Sequence, residues 1–235
     1  MVLLGTLVNG LTIIIGAYIG VKLQRIPEKM KETVMKAIGL AVIILGITMA
    51  LEGQEFLLVI FSLALGGILG ERMNIEGKLN QLGGVLGKRM KRGSESSNIA
   101  EGFVAATLLF VVGAMAIIGA LDSGLRGDHS VLLTKSVLDG FSSIIFAATL
   151  GIGVMFSSIP VILYQGSIAL GAAYIVAFVP EELLDLMVSE ITAVGGIMIL
   201  AIGLNIVGIK PVRVANLLPA IPLAVLFVFI INTIA

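Results

Sequence analysis

Residues 134 to 145 read TKSVLDGFSSII, which sets Lys135, Asp139, Ser142 and Ser143 at helical spacing inside a long apolar run. An ionised aspartate turned toward lipid costs about 3 kcal/mol or more at the bilayer centre, so Asp139 should face the protein interior or a hydrated cavity. A carboxylate there can bind a proton or a small cation. It can equally be neutralised by Lys135 one turn back, as an i,i+4 ion pair whose long cationic side chain reaches toward the interface. A second polar stripe lies near the start of the chain, where Gly5, Asn9, Thr12, Gly16 and Gly20 recur on one helical face. Laid over one another, TLVNGLTII (6–14) matches SVLDGFSSI (136–144), so Asn9 corresponds to Asp139. Further polar candidates in apolar surroundings are Asp122 with Ser123, Tyr164 with Gln165, Asn205 and Asn216, each a ligand group or interhelical hydrogen-bonding glue. Asp122, Asp128 and His129 also share the stretch DSGLRGDHS, read as a solvated external loop rather than a weak hard-metal or proton site.

These residues need a scaffold, and the composition says which kind. Of 235 residues 58% are hydrophobic and 13% charged, too few polar side chains to cover a soluble globule. The mean hydropathy is +1.12. Windows of about twenty apolar residues, enough to cross roughly 30 Å of hydrocarbon, recur along the chain. With no cysteine and one histidine there is no thiol nucleophile, no Cys-based site and no multi-His site, and no metal or cofactor is expected. No Ser/His/Asp set, HExxH or Gly-rich phosphate loop is present, so an enzyme is not expected, and no nucleic-acid motif appears.

The predicted fold is all-α: a polytopic transmembrane helix bundle with spans near 2–21, 36–51, 55–70, 102–121, 134–156, 160–179, 189–208 and 214–234. The opening apolar run has no basic region before it and reads as a permanent span rather than a cleaved signal peptide. Spans two and three are short and joined by LEGQ, so a partly re-entrant hairpin is an alternative there. Pro160 and Pro180 mark breaks, and Pro219 and Pro222 a kink in the last span. Lys22, Arg25, Lys29, Lys31 and Lys36 follow span one; Arg72, Lys78, Lys88, Arg89, Lys91 and Arg92 follow span three; Lys210 and Arg213 follow span seven. Only Arg126 and Lys135 fall on the other side, which places both termini outside by the positive-inside rule.

ERMNIEGKLNQLGGVLGKRMKR spaces Ile75, Leu79, Leu82, Leu86 and Met90 as an amphipathic helix, lying on the inner leaflet or packed on the protein. GSESSN (93–98) reads as a flexible linker between an N-terminal membrane half (1–92) and a C-terminal half (99–235) of one integral membrane domain. A weaker match of LALGGILG (63–70) with LAIGLNIVG (200–208) joins the first in suggesting two parallel four-span repeats. Gly16 with Gly20, Gly66 with Gly70 and Gly83 with Gly87 allow close helix approach within the bundle or in a homodimer.

The run VGAMAIIGALDSGLRGDHSVLLTKSVLDGFSSIIFAATLGIGVMFSSIPVILYQG (112–166), with the early GTLVNG, resembles the YqgA/YdfK-like family of bacterial inner-membrane proteins, grouped under a domain of unknown function. The resemblance covers essentially the whole chain. It implies a polytopic bacterial membrane protein and carries over no catalytic residues. It also implies that the segment around Asp122, Lys135, Asp139, Ser142, Ser143 and Gln165 is the family's characteristic part.

The function favoured by these readings is a secondary transporter or ion-coupled permease for a small solute or a cation such as H+ or Na+, set in the lipid bilayer. Asn9, Thr12, Asp139, Ser142, Ser143, Asp122, Gln165 and Asn205 are its candidate ligand groups, with Lys135 as charge partner. A non-transport membrane scaffold or regulator and a passive channel are the alternatives.

Overall fold

The computed structural model describes residues 1–23, 28–81, 96–209 and 212–234, and every regular element among them is helical. The helices are α1 (Leu4–Lys22), α2 (Glu28–Ala50), α3 (Phe56–Met73), α4 (Ser96–Val111), α5 (Ala114–Leu125), α6 (Ser130–Leu150), α7 (Gly153–Phe156), α8 (Ser158–Phe178), α9 (Glu181–Val207) and α10 (Ala220–Ile234). A single 3-10 turn, Val214–Leu217, precedes α10, and a further helical stretch covers 75–81. Among the described residues seven segments are long and apolar enough to cross a membrane, eight if the bent pair α4 and α5 is one span. Half of the expected amphipathic stretch and the start of the expected linker, 82–95 in all, lie outside the described residues.

Several boundaries differ from expectation for identifiable reasons. The expected fourth span is broken: α4 and α5 meet at a 60° bend. Gly113, at φ 123° and ψ 148°, sits at the break in a conformation essentially closed to other residues. Pro160 marks no break, because it is the third residue of α8, where the missing N–H has no helical partner to lose. The break falls instead at Gly151 (φ 82°). Likewise Pro222 lies in the first turn of α10, and Pro219 separates that helix from the 3-10 turn. Residues 181–188, between the expected sixth and seventh spans, are helical; Pro180 stands at the N-cap position of α9, and Glu181 and Glu182 occupy its first turn, where the helix dipole favours acids. Helices α2 and α3 each qualify as a span, as expected, rather than forming the alternative re-entrant hairpin.

The chain forms two compact units, Met1–Pro27 with Asn80–Phe178 and Glu28–Leu79 with Val179–Ala235. Each draws on residues from both sides of 93–98. In the first unit α1 lies along α6, α5 against α8, and α4 against α6, α7 and α8. Residues rise together along the α1–α6 contact: a Cβ on Gly5 would meet Leu132, on Gly16 the Gly140 carbonyl, and on Gly20 the Ile144 carbonyl. These two helices are thus parallel and in backbone contact, which only glycine permits. The outer face of α1 exposes Leu4, Leu7, Leu11, Ile15 and Tyr18, as a lipid-facing surface does.

In the second unit α2 pairs with α9, and α10 packs on α9 and α3. Gly39 faces Gly203 and Gly46 faces Gly196, so α2 and α9 run antiparallel. Gly66 and Gly70 of the small-residue spacing seat against Ala220 and Asn216. Gly83 and Gly87 are outside the described residues.

Candidate binding site

The two polar stripes meet inside the first unit. Because α1 and α6 are parallel and separated by glycine rather than by side chains, Asn9 and Asp139 come into direct contact. Asn9 is fully buried, and its Nδ2 donates to Asp139 Oδ2 at 3.0 Å and to Gln165 Oε1 on α8 at 3.3 Å. Lys135 Nζ donates to Asp139 Oδ1 at 3.0 Å. Both members of this ion pair are buried, with side chains 8% and 7% exposed. Both carboxylate oxygens are therefore engaged, one by an ammonium and one by an amide.

The carboxylate also orders the rest of the cluster. An amide oxygen turned toward Asp139 would face a negative charge, so Asn9 must present its nitrogen, and that nitrogen's second hydrogen selects the oxygen of Gln165. Three buried polar atoms of α1 and α8 are left without partners, Asn9 Oδ1, Gln165 Nε2 and Thr6 Oγ1, and a fourth in this unit, Thr107 Oγ1, lies on α4. A buried polar atom without a partner costs about 1 to 3 kcal/mol, so the atoms on α1 and α8 favour a polar partner. They comprise an acceptor, a donor and a hydroxyl that can act as either, a set suited to a polar ligand or to the water of a hydrated ion.

Of the residues expected from sequence, Asn9, Lys135, Asp139 and Gln165 are brought together. Thr12 and Ser143 lie beside them but give their hydroxyls to the main chain, Thr12 to the Asn9 carbonyl at 2.8 Å and Ser143 to the Asp139 carbonyl at 2.7 Å. Ser142 is half-buried on α6. Asp122 is elsewhere: it sits on α5 and faces Arg126 at 3.7 Å. The neighbouring Ser123 is hydrogen-bonded to His129 Nδ1. Asp128 accepts the Ser130 N–H at 2.9 Å, and that backbone bond, with one from the Ser130 side chain, holds its exposed carboxyl below the usual carboxylate range. Asn205 belongs to the second unit and clasps a loop, exchanging two 2.8 Å hydrogen bonds with the Val212 main chain. Asn216 likewise accepts the Glu76 N–H at 2.8 Å and donates to Glu71.

Two residues escaped the sequence reading. Thr6 lies three residues before Asn9 on the same face of α1, and its position next to the Asn9 stripe was the available signal. Glu190, at the start of the span expected over 189–208, is fully buried on α9. Nothing in its local sequence separates it from the exposed acids before it.

Comparison with known proteins agrees with the architecture. The chain is 37% identical over 234 residues to the "Uncharacterized membrane protein YdfK" of Bacillus subtilis (strain 168), covering 97% of this chain and 96% of that protein. It is 32% identical over 225 residues to the "Uncharacterized protein YqgA" of Escherichia coli (strain K12), covering 94% of each. No solved structure matches the chain. With residues 4–229 matching the family described as "Protein of unknown function (DUF554)", this chain is a helical membrane protein that belongs to the DUF554 family.

Proposed function

We propose that the protein is an ion-coupled permease of the bacterial inner membrane that moves a small solute or cation through the Asn9–Lys135–Asp139–Gln165 site, with both termini outside. The observation that supports this reading is a charge-paired polar cluster, buried in an apolar helical unit, that leaves a donor, an acceptor and a hydroxyl unmet. A purely structural ion pair would need only Lys135 and Asp139. Contact between the corresponding residues Asn9 and Asp139 is also what two parallel repeats related by an axis along the membrane normal would produce, and repeat interfaces are where secondary transporters place their sites.

The pairing suggests how coupling works. A monovalent cation can take the place of the Lys135 ammonium at Asp139 only if Lys135 turns away or loses its proton. If it loses the proton, one proton leaves as one cation binds, and the site stays neutral throughout. That favours exchange over uniport, because an unpaired carboxylate in the bilayer is the costly state.

The test is the thermal stability of the detergent-purified protein and of Asp139→Asn across ions, pH values and small solutes, followed by flux in proteoliposomes. A ligand that binds only the folded protein raises its melting temperature. Stabilisation of the wild type alone, with flux abolished in the variant, is the expected result. A variant that is less stable under every condition, with no ligand stabilising either protein, would instead support the scaffold reading, which the completed Lys135–Asp139 pair favours.

A further inference from the structure

The second unit holds a buried carboxylate of its own. Glu190 on α9 is fully buried. Its Oε1 accepts the N–H groups of Gln54 and Glu55, both at 2.8 Å, at the start of α3. Its Oε2 is buried and has no hydrogen-bond partner. These N–H groups and the positive end of the α3 dipole stabilise negative charge on one oxygen only. The other oxygen is a bare acceptor in an apolar surround.

The charges nearby do not neutralise it. On α9 the other charged residues are Glu181, Glu182 and Asp185, and the segment 51–55 carries Glu52 and Glu55. Residues 37–50 of α2, 56–70 of α3, 191–207 of α9 and all of α10 carry no charged side chain. Every charged residue of α9 and of the segment 51–55 is thus an acid. A buried carboxylate is costly where an oxygen lacks a donor, and here only Oε1 has donors. A divalent cation needs several oxygen ligands, and no group of three or more His, Cys, Asp or Glu among the described residues could hold a metal ion. A proton needs one oxygen.

We propose that Glu190 is a proton-binding site of the second unit, with the proton carried on Oε2 while Oε1 holds the start of α3. Proton uptake converts the carboxylate to the neutral acid with no other change in bonding. It also turns two charge-assisted hydrogen bonds into neutral ones of roughly half the strength. The hold on Gln54 and Glu55 therefore loosens when the proton binds and tightens when it leaves. The site is independent of the Asp139 cluster, so it can hold whether or not the transport reading does.

The test compares wild type, Glu190→Gln and Asp139→Asn in lipid, in acidic and in alkaline buffer. Infrared difference spectra should show a protonated-carboxyl band that is lost on deprotonation in the wild type and in Asp139→Asn, but is missing in Glu190→Gln. Glutamine keeps an oxygen for the two N–H groups, so this variant should fold. Amide exchange at Gln54 and Glu55, corrected for intrinsic rate, should rise several-fold in acid in the wild type and be insensitive to pH in Glu190→Gln. A Glu190→Gln spectrum identical to the wild type, or exchange at these amides with no pH dependence in the wild type, overturns the proposal.

Discussion

Replacing Lys135 by methionine removes one charge from the binding cluster while nearly preserving side-chain length. Asp139, itself 5% exposed, would then keep one Asn9 N–H on Oδ2 and nothing on Oδ1. Breaking a buried ion pair from one side costs about 3 to 5 kcal/mol, because the remaining charge stays buried. Asp139→Asn should cost less, about 1 to 3 kcal/mol, since Lys135 lies near the start of α6 and its long side chain can reach toward the interface. The double variant Lys135→Met with Asp139→Asn removes both charges and retains an acceptor for Asn9, so it should lie within about 1 to 2 kcal/mol of wild type. The expected coupling is then about 2 to 7 kcal/mol, more than tenfold in the unfolding equilibrium. Reversible unfolding in lipid bicelles by steric trapping measures all three variants on one scale. Acidification should rescue Lys135→Met specifically, because a proton can take the place of the missing ammonium. If Lys135→Met costs under about 1 kcal/mol at neutral pH, or the double variant costs the sum of the singles, the pair is not a desolvated unit and the reasoning fails.

Asn9→Leu leaves Asp139 Oδ2 and Gln165 Oε1 without donors, and should lower stability by about 1 to 3 kcal/mol and abolish any ligand-dependent rise in melting temperature. In Gly20→Val the new side chain meets the Ile144 carbonyl and forces α1 from α6; a loss of about 1 to 3 kcal/mol or more is expected in the same unfolding assay. Asn205→Ala should cost at most about 2 kcal/mol, with any ligand response intact, as thermal shift would show. Arg213→Ala breaks an exposed pair with Glu71 and should change unfolding by under about 1 kcal/mol, whereas Asn216→Ala, at a buried position, should cost about 1 to 3 kcal/mol.

Hydropathy locates apolar cores of helices, which is why the spans were legible and their ends were not. Helix α2 starts at Glu28 rather than 36 because it runs on through polar turns that carry a Lys36–Glu32 pair at 2.7 Å. The break at Gly113 was invisible because one glycine in VVGAM reads the same in a straight helix as in a bent one. The site was legible to the extent that its members shared a helical face: Asn9 and Asp139 stood out as polar positions in apolar runs, and Lys135 followed by spacing. Gln165 stood out as polar but not as their neighbour, since no pattern within α8 indicates that it faces α1. Asn205 and Asn216 looked like Gln165 in sequence, yet they serve loops and helix ends, a difference that depends on which backbone groups lie nearby. Glu190 shows the converse, a buried acid that its acidic neighbours camouflage.

The glycine seam between α1 and α6 has a mechanical consequence. With Gly16 and Gly20 seated directly on the carbonyls of Gly140 and Ile144, no layer of side chains lies between the helices to absorb sliding or tilting. The two should travel as one rod, and Asn9 cannot leave Asp139 without tearing that seam. The contact of α1 with α8 is of another kind, since Gly10 meets the tip of the Ile162 side chain, which can swing aside. Entry to the cluster should therefore come from the α8 side, by a shift that carries Gln165 away while the charged pair stays assembled on the opposite wall.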